Sequence, residues 1–313
     1  MPCRFAVMSD THFTALPSTY EGTWWNRTTE RFSDIMGEAL VTLVHKLTPD
    51  FVIHCGDFVG VCSQKSYEFG SDIMNRLGCP WYMVPGNHDT WCSETRNLIR
   101  DQFDIANNGC TYMRDKENIR FFFLDVSAWY NEDSGISPVL DHDAYKSGRI
   151  KGMGPFESDI VWLDKSLVNT HTPAVLITHA PLEFKHTYPV STFPHGKPVK
   201  GPQSEPSEFI PDIINRTKLK NIIEKHNNLK VCFAGHWHIN DVFMENGIWY
   251  IMTAALREFP YEIRLVEYDN DEFRITTHRL DVPDLVEKSY VKEWNNTWIE
   301  GDQDVRVVTC HLR

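Results

Sequence analysis

Five short apolar runs recur along the chain, and each stops at a cluster of polar donors. Phe5-Ala6-Val7-Met8 runs into Ser9-Asp10-Thr11-His12, and Phe51-Val52-Ile53 into His54-Cys55-Gly56-Asp57. Trp81-Tyr82-Met83-Val84 runs into Pro85-Gly86-Asn87-His88-Asp89, Ala174-Val175-Leu176-Ile177 into Thr178-His179, and Val231-Cys232-Phe233-Ala234 into Gly235-His236-Trp237-His238. Short continuous apolar runs bounded by turn residues predict strands buried on both faces, as in a parallel sheet. In open α/β sheets the carboxyl ends of such strands are where ligands bind. All five runs end in Asp, His or Asn, the oxygen and nitrogen donors of hard to borderline metal ions.

Between the runs the period changes. Phe32, Ile35, Met36, Leu40, Leu43 and Val44 have helical spacing, which predicts a helix over 31–47 closed by Pro49. Further helices are predicted over 66–77, with Gly78 and Pro80 as stops, and over 94–103, 157–168 and 215–227. Residues 111–113 and 120–126 predict paired strands around a polar turn at 115–118. The β-α-β-α-β order through residue 84 predicts parallel pairing with right-handed crossovers. Segments 242–245, 248–252, 261–268 and 272–278, with turns at Asn246-Gly247 and Asn270-Asp271, predict a meander-like second half. Residues 13–29 (with Trp24 and Trp25), 129–156 and 183–211 read as long loops; the last holds six prolines together with His186 and His195. The expected organisation is one main unit over 1–282 with inserted loops at 129–156 and 183–211. Residues 283–313, with Trp294, Trp298 and Val305-Arg306-Val307-Val308, are expected as an extension packed on that unit or on the partner of a homodimer.

Composition narrows the class of protein. With 313 residues, 42% hydrophobic and 24% charged, the chain has ample material for a globular core. A net charge of −12 weighs against nucleic acid, whose binding rests on lysine and arginine neutralising phosphates. Eight cysteines occur without a Cys-x-x-Cys pair, which predicts free thiols and a reducing, cytoplasmic setting. No stretch is long and apolar enough to predict a membrane span or a secretory signal.

Taken singly, Asp10 and Asp57 suit turns or helix caps, Gly86-Asn87 suits a turn, and His179 suits a satisfied structural histidine. Taken in order, Asp10-x-His12, Gly56-Asp57-x-x-Gly60, Gly86-Asn87-His88-Asp89, His179 and Gly235-His236-x-His238 resemble the motif set of the calcineurin-like metallophosphoesterases. The pattern is most similar to the branch holding cyclic-nucleotide and glycerophosphodiester phosphodiesterases. The resemblance implies an α/β fold: a four-layer α/β/β/α sandwich of two mixed β-sheets flanked by helices. It also implies two divalent or trivalent ions (Mn, Fe, Zn or Co), one held by Asp10, His12, Asp57 and His238, the other by Asp57, Asn87, His179 and His236. The implied reaction is hydrolysis of a small phosphodiester by a metal-bound hydroxide, with a phosphomonoester as the alternative substrate. A DNA nuclease and a metal-free scaffold are the remaining alternatives; the first meets the −12 charge and the second an intact ligand set. His88 is expected as general acid for the leaving oxygen or as a stabiliser of the phosphorane-like charge, oriented by Asp89, and His54 as a buried residue outside the ligand set.

Overall fold

The computed structural model describes residues 3–15, 29–106, 109–170, 172–183, 213–290 and 299–312. Trp24, Trp25, His186, His195, Trp294 and Trp298 lie outside the described residues. The described elements, in chain order, begin with strand β1 (Cys3–Met8), helix α1 (Ser33–Leu47), β2 (Phe51–His54), α2 (Gln64–Asn75), β3 (Trp81–Met83) and α3 (Ser93–Gln102). There follow β4 (Tyr112–Lys116), β5 (Ile119–Phe123), β6 (Ala128–Asn131), β7 (Gly135–Ser137), α4 (His142–Lys146), β8 (Ile150–Gly154), α5 (Glu157–Val168) and β9 (Ala174–Ile177). The last are α6 (Arg216–Lys225), β10 (Leu229–Ala234), β11 (Asp241–Glu245), β12 (Ile248–Met252), β13 (Glu262–Asp269), β14 (Glu272–Arg279), α7 (Pro283–Ser289), α8 (Gln303–Arg306) and β15 (Val307–His311).

Two six-stranded mixed sheets form the centre, in the orders β15-β14-β13-β1-β2-β3 and β11-β12-β10-β9-β5-β4. β1, β2 and β3 are mutually parallel, as are β5, β9, β10 and β12, while the remaining pairs of these two sheets are antiparallel. The strand alternation assigns each side chain to a layer. In the second sheet Phe121, Phe123, Val175, Ile177, Val231 and Phe233 join the core shared with the first sheet. Their neighbours Phe122, Leu124, Ala174, Leu176 and Cys232 join Ile160, Leu163 and Leu167 of α5 and Leu219 and Ile223 of α6 in a separate core. A bulge between Leu229 and Val231 explains why these two residues, at strand spacing, fall in different cores. Phe5 marks the contact between the sheets, packing edge-on against Phe121 at 5.3 Å and Phe233 at 6.1 Å. Met36, Leu40 and Val44 of α1 and Ile73 and Met74 of α2 are buried in the core of the first sheet. The result is the expected sandwich of two sheets with helices outside.

Four expectations are corrected. Residues 129–156 are no loop: β7-β6-β8 form a three-stranded sheet, joined by α4, whose side chain cap is Asp141. Its strands are 3–5 residues long and carry Gly135, Gly152 and Gly154, so they lack a readable period. The second half is not one meander, because β11 and β12 extend the second sheet whereas β13, β14 and β15 extend the first. Cys62 and Cys92 are disulfide-bonded, so the free-thiol expectation holds for Cys3, Cys55, Cys79, Cys110, Cys232 and Cys310 only. Ile35, placed by its spacing on the buried face of α1, is 49% exposed. The terminal run becomes β15, antiparallel to β14 of this same chain. Among the described residues no helix is long and apolar enough to cross a membrane.

Candidate metal centre

All five donor clusters sit at carboxyl ends of parallel strands, and hydrogen bonds between their loops draw them together. The Asp10 and His12 N–H groups donate to the Gly56 and Asp57 carbonyls, both at 3.0 Å. The Gly235 N–H donates to the His179 carbonyl at 2.9 Å. The His236 N–H donates to Asp10 Oδ2 at 2.9 Å and so joins the two sheets. Glycine is needed at these crossings. A Cβ at Gly86 would lie 2.2 Å from Asp57 Oδ1, and one at Gly235 would lie 1.7 Å from Ser9 Oγ.

The backbone that aims the donors is strained. Asp10, His12, Asp57, His236 and His238 all have left-handed φ, between 43° and 70°. Such conformations cost roughly 1–3 kcal/mol each for non-glycine residues and persist only where the surroundings over-determine them. Five of the seven expected ligands share this feature, which the sequence does not display.

Two groups of donors result. Asp10, His12, Asp57 and His238 present ligand atoms within 4.8 Å of one another, as do Asp57, His179 and His236, and Asp57 belongs to both. Asn87 Oδ1 joins the second group at 3.1 Å from His179 Nε2. His88 lies over the first group, its ring 4.6 Å from that of His12 and stacked on Trp91 at 4.4 Å. The His88 N–H donates to Asp57 Oδ1 at 2.8 Å. Asp10, His12, Asp57, His179 and His236 are buried, whereas Asn87, His88 and His238 are half-buried and form the open side.

The donor set fits metal ions. His179 Nδ1 is 2.8 Å from the Cys55 carbonyl, so in the neutral ring Nδ1 carries the proton and Nε2 presents a lone pair. That lone pair faces Asp57 Oδ1 at 3.3 Å, Asn87 Oδ1 at 3.1 Å and His236 Nδ1 at 3.0 Å. Four electron-rich atoms on one point call for a positive charge. His236 Nε2 is also buried with no hydrogen-bond partner among the described residues. Without metal, protons supply the charge. Burial pushes His179 down, yet Asp57 and Asp10 hold it up at about 9. His238 rises against burial to about 10 beside Glu258 and Asp10, and burial with His179 alongside depresses His236 to about 3. Burial pushes Asp10 and Asp57 up, but neighbouring histidines hold both below the usual carboxylate range.

Asp89 departs from its expected role. Its carboxylate accepts the N–H groups of Gly86 at 2.8 Å, Val59 at 2.9 Å and Phe58 at 3.1 Å, tying the loop of Asp57 to that of Asn87. Burial and the charge of Asp57 push it up to about 7 against those three donors. His54 is a structural residue as expected: Nδ1 accepts the Gly56 N–H at 3.1 Å, Nε2 meets Thr11 Oγ1 at 2.9 Å, and burial lowers it to about 3. Trp237 packs with Ile239, Met252, Phe259 and Ile299 as core. Residues that the motifs do not reveal also support the site. Glu258 Oε1 meets His238 Nδ1 at 2.6 Å, and the three-stranded insert holds the turn after His88. There the Trp129 Nε1–H donates to Thr90 Oγ1 and the Leu140 N–H to the Thr90 carbonyl, both at 3.0 Å. A charged Arg257-Glu258 pair within the apolar stretch 254–259 is the one sequence signal that points to Glu258.

Residues 3–240, which hold every one of these donors, match the family model described as calcineurin-like phosphoesterase. The chain belongs to the calcineurin-like phosphoesterases. A curated relative from Arcobacter nitrofigilis, named a probable glycerophosphodiester phosphodiesterase, is 24% identical over 210 residues, covering 67% of this chain and 64% of the relative. One from Fibrobacter succinogenes, named a probable cyclic nucleotide phosphodiesterase, is 22% identical over 190 residues, covering 60% and 57%. The chain thus spans less than two thirds of either relative's length. Among solved structures, a dimetal phosphatase from Danio rerio superposes with a TM-score of 0.64 at 14% identity, over 88% of this chain and 96% of the other. A purple acid phosphatase from yellow lupin gives 0.54 at 12% identity, over 89% and 52%. At these identities the likeness is one of fold.

Proposed function

We propose that this phosphoesterase hydrolyses a small phosphodiester at two metal ions that share Asp57. The observation that carries the reading is the membership of Asp57 in both donor groups. One carboxylate with two oxygens places two cations side by side, the arrangement used for in-line displacement at phosphorus. Asp10, His12, Asp57 and His238 would hold the first ion, and Asp57, Asn87, His179 and His236 the second. Imidazole mixed with oxygen donors suits Mn, Fe, Zn or Co. When bound, such ions neutralise the phosphoryl oxygens and activate water.

The other tasks fall to this chain's own groups. Asn87 contributes a neutral carbonyl oxygen, which limits the negative charge that an anionic substrate meets. His88 would deliver a proton to the leaving oxygen, a role that its position on the open side, stacked on Trp91, supports. Asp89 acts through the backbone, fixing the two loops that carry Asp57 and His88. The two curated relatives, both named phosphodiesterases, support a diester over a monoester.

The test is a panel of cyclic nucleotides, glycerophosphodiesters and phosphomonoesters with Mn²⁺, Fe²⁺, Zn²⁺ or Co²⁺ supplied singly. Higher kcat/KM on diesters supports the proposal. Faster turnover of monoesters overturns the diester assignment and leaves the family membership standing.

A further inference from the structure

We infer that Glu258 is a positioning residue for the metal ligand His238, holding its ring by Nδ1 so that Nε2 is delivered to the first donor group. The inference rests on the reading of that group as a metal site. Glu258 Oε1 lies 2.6 Å from His238 Nδ1, and His238 Nε2 lies 3.1 Å from Asp10 Oδ1. An imidazole whose Nδ1–H donates to a carboxylate presents a lone pair at Nε2, and the carboxylate makes that lone pair a stronger donor.

The carboxylate is rigidly mounted. Glu258 is 1% exposed, far less than the half-buried ring that it holds. Its backbone is fixed on both sides: Thr29 Oγ1 donates to the Arg257 carbonyl at 2.6 Å, and the Phe259 N–H donates to Ser289 Oγ at 2.9 Å. Arg257 lies between two buried carboxylates, its Nε 3.6 Å from Glu258 Oε2 and its Nη2 3.4 Å from Glu30 Oε1. A carboxylate that only filled core space would not need its backbone anchored from α7 and from residue 29, nor a buried guanidinium beside it. His179, by contrast, is held through Nδ1 by the Cys55 carbonyl. Both imidazoles follow strands of the second sheet, β9 and β10, and that of His238 is anchored by a full charge.

The test is a Zn²⁺ titration by chelator competition on wild type, Glu258→Gln and His238→Ala. Glu258→Gln is expected to weaken one of the two Zn²⁺ equivalents by about 10–100-fold, the usual range for loss of such a partner. With chelator present its melting temperature should fall, because the metal-free protein loses the His238–Glu258 pair, so affinities are compared below the melting range of both proteins. Zn²⁺ affinity within about twofold of wild type in Glu258→Gln, with His238→Ala weakened, would overturn the inference while leaving His238 a ligand. Unchanged affinity in His238→Ala as well would remove the metal role of His238 and the inference with it. A second measurement needs no variant: histidine ¹⁵N spectra of the Zn²⁺-loaded wild type should show His238 protonated at Nδ1. Protonation at Nε2 would overturn the proposal. Neither readout depends on which phosphoester is hydrolysed.

Discussion

Gly86→Ala offers the sharpest mutational probe of the centre, because the added atom strikes Asp57, the shared ligand. The Cβ would lie 2.2 Å from Asp57 Oδ1, 2.3 Å from Asp57 N and 2.8 Å from Asp57 Cγ. Ordinary contacts are about 3.5 Å, so Asp57 must retreat by roughly 1 Å. A side-chain rotation cannot relieve the clash, since the backbone nitrogen is as close as the carboxylate. Overpacking of this kind costs about 1–3 kcal/mol, which lowers Tm by roughly 2–10 °C in a chain of this size. A displacement of about 1 Å at a reacting centre costs about 10²-fold in rate, equivalent to ~2.7 kcal/mol. Both ions share Asp57, so metal content should fall below two per chain. Gly148→Ala is the control: Gly148 has φ 72° and nothing within 4 Å of an added Cβ. It carries the left-handed penalty of about 1–2 kcal/mol and should keep its metals and turnover. The assays are metal content by mass spectrometry, hydrolysis of an aryl phosphodiester, and thermal melting. A Gly86→Ala protein with two ions and turnover near wild type would refute the reasoning.

Four further predictions follow from the structure. His179 at about 9 and His238 at about 10 carry protons that a cation must displace, so apparent metal affinity should rise from pH 6.5 to 9, by up to about tenfold per pH unit for each proton released. Titrations at three pH values check this, and a flat profile contradicts it. Both values exceed the ordinary 6.5, so the stability these rings add to the metal-free protein is complete below pH 6.5 and disappears as pH rises through 9 and 10; melting with chelator present should decline over that window. His88→Ala should lower turnover by about 10²–10⁴-fold on diesters with poor leaving groups and less on nitrophenyl esters, with metal content unchanged; an equal loss on both substrates contradicts the general-acid role. Reducing the Cys62–Cys92 bond, whose partners are 30 residues apart, should cost about 3–4 kcal/mol, seen as a lower melting temperature in dithiothreitol and in Cys92→Ser. Identical melting with and without reductant contradicts a bonded pair.

Much of this centre is visible in the primary structure because its logic is local. A strand buried on both faces reads as a continuous apolar run, and its donors must follow within a few residues, so Asp10, Asp57, Asn87, His179 and His236 stand out. Helix α1 was legible because Met36, Leu40 and Val44 share a face. What stays hidden depends on partners distant in the chain. The hairpins β11-β12 and β13-β14 are readable as hairpins, but nothing local assigns them to different sheets. The disulfide joins two cysteines whose proximity arises only after β2 and β3 pair. Asp89 adjoins His88 in sequence, yet the turn directs its carboxylate to the amides of Phe58, Val59 and Gly86. Glu258 lies far along the chain from the blocks around Asp10 and Asp57 and reaches the site only through His238. The left-handed backbone at five donors is likewise a product of the assembled loops.

The central claim is that two ions bind side by side across Asp57. Metal-loaded crystals examined by anomalous diffraction test it most directly. The account predicts two peaks about 3.5–4 Å apart, one ringed by Asp10, His12, Asp57 and His238, the other by Asp57, Asn87, His179 and His236. No peak there after loading, or ions bound at sites that do not include Asp57, would contradict it.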